Sequence, residues 1–138
     1  MVDFNLRRTL FGGNDIAIDL GTANSLIYVK GVSVVVDEPT LLAVNKSDKS
    51  IITIGQEAKK LLGRVPETIE LIKPLRDGVI SEIEMAEEFV KTLLSKAIGR
   101  SYSRPRIVIC VPNGVTSVEQ RSIETAAHST GAAEVFTI

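Results

Sequence analysis

Asp19-Leu20-Gly21-Thr22-Ala23-Asn24-Ser25 separates two apolar runs, Asp15-Ile16-Ala17-Ile18 before it and Leu26-Ile27-Tyr28-Val29-Lys30 after it. The first flank alternates, the second is β-prone, and the interval holds turn residues. The segment therefore reads as strand, tight loop, strand. Gly21 lets the backbone turn so that consecutive N–H groups, with the Thr22 and Asn24 side chains, can surround phosphate oxygens. Asp19, at the mouth of such a loop, is placed to hold a hydrated Mg²⁺, which keeps most of its waters and uses few carboxylates. Spacing alone leaves a second reading open, a plain hairpin turn. No Walker lysine loop is present, and no G-x-G-x-x-G follows a strand.

Outward from this loop the chain alternates strands and helices. Residues 32–36 read as a third strand ending at Asp37-Glu38-Pro39. Residues 40–44 and 51–54 flank a polar turn and suggest a second, smaller sheet. Residues 56–62 form a short helix closed by Gly63. A longer helix is expected from Ser81, with Ser81 and Glu84 as a capping box and acidic residues on the positive end of the dipole. Ile83, Ala86, Val90, Leu93, Leu94 and Ala97 share its apolar face, and Lys96, Gly99 and Arg100 close it. Residues 106–111 are a strand and Pro112-Asn113-Gly114 a turn. Thr116 and Ser117 with Glu119 and Gln120 cap a helix to about Ser129, and residues 134–138 are the next strand. Strand, crossover helix and strand of this length make a right-handed parallel unit.

Composition removes several function classes. The chain has 138 residues, 44% hydrophobic and 24% charged, as an ordinary folded domain has. Sixteen Lys+Arg against seventeen Asp+Glu leave a net charge of −1, so no global field recruits nucleic acid. With two Tyr, four Phe and no Trp, a base-stacking surface is not expected either. One Cys and one His exclude an internal disulfide and a Cys/His zinc site. Cys110, within an apolar strand, is expected to be a core thiol, and His128 to be a surface or capping residue at a helix end.

No run approaches the roughly 20 apolar residues of a membrane span, and the first residues lack the features of a secretory signal. A reducing cytoplasm is the default. Residues 1–13 nevertheless place Phe4, Leu6, Leu10 and Phe11 around Arg7 and Arg8. Two readings stay open: an interfacial segment with snorkelling arginines, or a terminus whose apolar residues tuck onto the domain.

The loop and the strand after it resemble the first phosphate-binding loop of the actin-like ATPases and, within them, the MreB family of bacterial cell-shape proteins. Further segments match that family in order: Asp37-Glu38-Pro39, Gly55-Gln56-Glu57-Ala58-Lys59-Lys60-Leu61-Leu62-Gly63-Arg64, Pro74-Leu75-Arg76-Asp77-Gly78-Val79-Ile80 and Val111-Pro112-Asn113-Gly114-Val115-Thr116. The resemblance implies an α/β fold: an actin-like (ribonuclease H-like) subdomain with a mixed sheet and flanking helices, plus a small inserted α+β subdomain. The corresponding division is 14–36 with 74–138 for the first and 37–73 for the insertion, after the segment 1–13.

The resemblance further implies ATP and Mg²⁺ as ligands. Gly21, Thr22, Ala23 and Asn24 match the phosphate loop, and Asp19 matches the metal-side carboxylate, acting through water. Family members form filaments beneath the inner membrane and position wall-synthesis proteins, and some attach through an amphipathic N-terminus. That implies self-association, a cytoplasmic protein peripheral at the membrane, and membrane contact by Phe4, Leu6, Leu10 and Phe11. MreB-like chains are much longer. They carry, after the strand matching residues 134–138, the glutamate that positions the attacking water, then a second phosphate loop. The expectation is an N-terminal part, incomplete relative to the family and inactive as an ATPase alone. The alternatives are a fragment of a related ATP-dependent chaperone or sugar kinase, or an α/β module that binds no nucleotide.

Overall fold

The computed structural model describes residues 15–98 and 104–138. The elements run β1 (Asp15–Leu20), β2 (Asn24–Val29), β3 (Ser33–Pro39), β4 (Leu42–Asn45), β5 (Ile51–Ile54) and α1 (Gly55–Lys59). They continue with β6 (Ile69–Ile72), β7 (Leu75–Arg76), β8 (Val79–Ile80), α2 (Ile83–Ile98), β9 (Arg106–Cys110), α3 (Ser117–His128) and β10 (Glu134–Thr137). The larger sheet has the order β10-β9-β1-β2-β3, with β9 parallel to both β10 and β1 and the hairpin side antiparallel. The smaller sheet is β5-β4-β6, and β7 and β8 form a two-stranded ribbon. This is the mixed α/β arrangement expected.

Period-2 alternation decides which face of the larger sheet is covered. Ile16, Ile18 and Leu20 of β1, Ile27 and Val29 of β2, and Ile107 and Ile109 of β9 point to one side, where α2 and α3 supply Phe89, Leu93, Leu94, Ile123 and Ala127. Leu42, Val44, Ile54 and Ile72 of the smaller sheet join the same core. Phe89 is fully buried, and burying such a ring stabilises by roughly 1.5–3 kcal/mol. Helix α3 carries the capping box read from its sequence. Thr116 Oγ1 accepts from the Glu119 N–H at 3.2 Å, and the Glu119 carboxylate accepts from the Thr116 N–H at 2.9 Å.

The opposite face is layered in register. Glu134, Arg106 and Asp15 are aligned, with Lys30 3.9 Å from Asp15. Arg106 grips Asp15 through two bonds of 2.9 Å, and those bonds hold the Asp15 carboxyl below its ordinary range. The pair is exposed, so solvent screens it and it adds little to stability. The next row, Phe136-Val108-Ala17-Tyr28-Val34, is apolar across all five strands. Phe136, Tyr28 and Val34 are each about half exposed.

Four sequence readings need correction or extension. Cys110 is exposed, because Arg106, Val108 and Cys110 share the outer face of β9 while Ile107 and Ile109 fill the core. Ser81 does not cap α2; its hydroxyl donates to the Lys73 carbonyl at 2.6 Å, and the helix begins at Ile83. Helix α1 stops at Lys59, where turns replace the expected final residues. Strand β6 and the β7–β8 hairpin were not anticipated. Gly99 and Arg100, and the membrane-contact candidates Phe4, Leu6, Leu10 and Phe11, lie outside the described residues.

The half-exposed apolar row predicts self-association of this chain. Sedimentation should show a weight-average mass that rises with concentration, and Phe136→Thr should shift that rise to higher concentration. A clean monomer for the unmodified chain at high concentration would contradict the prediction.

Candidate functional site

Three loops converge where the parallel strands end. The Asp19–Cys110 register places the carboxyl ends of β1 and β9 side by side. Residues 21–23 therefore leave β1 close to where residues 111–114 leave β9, the edge at which open α/β sheets bind ligands. Asp19 is exposed near the end of β1, on the face of the sheet opposite the core. Thr22 is half-buried, Ala23 and Asn24 are exposed, and Asn24 is the first residue of β2.

The turn between β1 and β2 is tight. A side chain at Gly21 would run into the Asn24 carbonyl, so the position requires glycine for space. The third loop is the β7–β8 turn. Asp77 and Gly78 both have positive φ, 52° and 77°, the conformation that an Asp-Gly hairpin favours. Its Gly78 N–H donates to Thr22 Oγ1 at 3.2 Å, which ties the β7–β8 turn to the candidate phosphate loop. Gly114 abuts the same turn, because a methyl there would lie 2.6 Å from the Gly78 carbonyl oxygen.

Beneath the loop lie Ser25 and Thr40, the two buried polar side chains among the described residues. Thr40 Oγ1 donates to the Gly21 carbonyl at 2.7 Å and sits 2.7 Å from Ser25 Oγ. The Thr40 N–H donates to the Ala23 carbonyl at 2.9 Å.

The arrangement suits an anion with a hydrated cation better than a directly ligated metal. Among the described residues no group of three His, Cys, Asp or Glu side chains could hold a metal ion; Asp19 stands near the end of β1 and Asp77 in the β7–β8 turn. An open groove between α2 and α3, lined by Glu87, Lys91, Val118 and Arg121, shares no residue with the three loops.

The model of the MreB/Mbl protein family matches residues 13–138, nearly the whole chain. The chain belongs to the MreB/Mbl family. It is 45% identical over 123 residues to the cell shape-determining protein Mbl of Bacillus cereus, covering 88% of this chain and 37% of that protein. It is 44% identical over 131 residues to the cell shape-determining protein MreB of Escherichia coli, covering 91% of this chain and 38% of MreB. The chain thus spans well under half the length of these relatives.

Among solved structures, MreB5 of Spiroplasma citri bound to ADP superposes with a TM-score of 0.77 at 34% identity, covering 91% of this chain and 38% of MreB5. A MamK double helical filament matches at a TM-score of 0.70 and 18% identity, which speaks to the fold alone. The actin-like fold expected from the sequence is thereby established, and the MreB family, rather than a chaperone or sugar kinase, is the one the chain belongs to.

Within this MreB/Mbl chain Asp19 and Leu20 end β1; Gly21, Thr22 and Ala23 form the turn, and Asn24 opens β2. Sequence reasoning missed Ser25, Thr40, Gly78 and Gly114 as supports. The Asp77-Gly78 dipeptide between Leu75-Arg76 and Val79-Ile80 was a legible hairpin signal. Thr40 carries no comparable signal, since its partner Gly21 is 19 positions away.

Contact between loops makes Gly114 a sensitive position. Gly114→Ala is expected to destabilise by roughly 1–3 kcal/mol, because its methyl must displace backbone. Urea unfolding should show a lower midpoint with an unchanged slope. A midpoint equal to that of the unmodified chain would mean the β7–β8 turn is not held against residues 112–114.

Proposed function

We propose that this chain is the phosphate-loop-bearing part of an ATP-binding, filament-forming cell-shape protein. The observation that carries the reading is the Thr22–Gly78 contact beside Asp19. It ties the β1–β2 turn to the β7–β8 turn, against which Gly114 packs, in a chain 34% identical to an MreB5 whose structures are bound to ADP and to AMPPNP. In this reading Gly21, Thr22, Ala23 and Asn24 contact the phosphates through backbone N–H groups and short polar side chains. Asp19 would hold the hydration shell of Mg²⁺, which when bound would offset the phosphate charge.

Turnover is a separate matter. This chain supplies one face of the site, and excluding water from the phosphates requires walls on both sides. The proposal for the chain by itself is saturable but weak MgATP binding without hydrolysis. Calorimetric titration should show binding that Asp19→Ala weakens roughly tenfold, with phosphate release at background. No saturable binding would contradict the nucleotide reading. Mg²⁺-dependent phosphate release abolished by Asp19→Ala would contradict the inactivity.

Filament formation through self-association, work alongside wall-synthesis proteins and a cytoplasmic location at the inner membrane complete the proposal. Family membership supports them. No described helix is long and apolar enough to cross a bilayer. The proposed membrane contact rests on Phe4, Leu6, Leu10 and Phe11 with the adjacent arginines. Flotation with anionic liposomes should carry the whole chain upward and leave a version lacking residues 1–11 at the bottom. Equal flotation of both would remove the N-terminal segment from the account.

A further inference from the structure

Ser25 and Thr40 are 0% and 2% exposed. Burying two hydroxyls stabilises a fold little, and an apolar pair of similar shape is often as good. What these two do is fix hydrogen-bond directions. Thr40 has one hydroxyl proton and gives it to the Gly21 carbonyl at 2.7 Å. Ser25 must then be the donor in the 2.7 Å Ser25–Thr40 bond, giving a directed chain from Ser25 to Thr40 to Gly21. The Thr40 N–H takes a second carbonyl, that of Ala23, at 2.9 Å.

A planar trans peptide carries its C=O and N–H on opposite sides, and no described peptide bond is cis. With the Gly21 carbonyl turned toward Thr40, the Thr22 N–H in the same peptide plane points away from it. With the Ala23 carbonyl held by the Thr40 amide, the Asn24 N–H is likewise turned away. One residue thus orients two N–H groups of the candidate phosphate loop.

We propose that Thr40 is the positioning residue of the phosphate loop, setting the peptide planes of residues 21–24 so that their N–H groups are preorganised for an anion. The inference rests on the nucleotide reading and extends it to a residue outside the loop. Thr40 is also where β3 gives way to the smaller sheet. Glu38, two residues earlier, accepts from the Gln56 N–H at the start of α1 and pairs with Lys96 of α2 at 3.4 Å. Residues 38–40 thus join the end of β3 to α1 and α2 as well as to the loop.

The test uses the whole chain, ¹⁵N-labelled, with MgATP as the probe. Thr40→Val should weaken binding about tenfold and speed amide exchange at residues 22–24, while Thr40→Ser should stay within about twofold of the unmodified chain in both. Ile72→Val, which loosens the smaller sheet without touching the loop, should lower thermal stability and leave affinity unchanged. Equal affinity and exchange in Thr40→Val and the unmodified chain would overturn the proposal, as would an affinity loss in Ile72→Val matching that of Thr40→Val. If the unmodified chain binds no MgATP, the nucleotide reading fails. Amide exchange then still decides the clamp: faster exchange in Thr40→Val supports it and unchanged exchange overturns it.

Discussion

The parallel pairing of β1 with β9 is the contact on which the rest of the molecule depends. It joins residues 15–19 to residues 106–110, near opposite ends of the chain, and places β1 at the centre of the larger sheet. Such a pairing costs loop-closure entropy before it returns anything. The return is the core formed by Ile16, Ile18, Ile107 and Ile109 against Phe89, Leu93 and Ile123. Because the two strands are parallel, their carboxyl ends fall at one edge, and the loops that follow them meet there.

The site is built from backbone more than from side chains. Gly21, Gly78 and Gly114 allow close approach of three turns, and a Cβ at two of them would meet a neighbouring carbonyl. Thr22 and Thr40 supply the hydroxyls that tie these turns to one another and to the sheet. That composition suits an anion held by N–H groups. The face of the larger sheet opposite the core follows the same register logic: an ion row, an apolar row, and a row containing Asp19 and Cys110.

Much of this was legible before the structure. The loop at residues 21–25, the hairpin around it, the capping box at Thr116 and the crossover unit all follow from local turn chemistry and periodicity, and each has its counterpart in the fold. Other features depend on partners far away in sequence. Ser81 looked like a cap because Glu84 stands three residues on, yet its hydroxyl is taken by Lys73 across a turn. Cys110 looked buried because its strand is apolar, but period-2 alternation puts it on the outer face with Arg106 and Val108. Thr40 reads as an ordinary strand residue until the fold brings Gly21 and Ser25 to it.

Family membership and fold are established by the match over residues 13–138 and by the superposition on MreB5. The central claim left to experiment is that the edge formed by the ends of β1 and β9 receives phosphate. Amide chemical shifts recorded while MgADP is titrated into the ¹⁵N-labelled chain test it most directly. The account predicts that the largest shifts fall on Thr22, Ala23, Asn24 and Gly78 and saturate together. Shifts confined to the groove between α2 and α3, with those four amides unmoved, would contradict it.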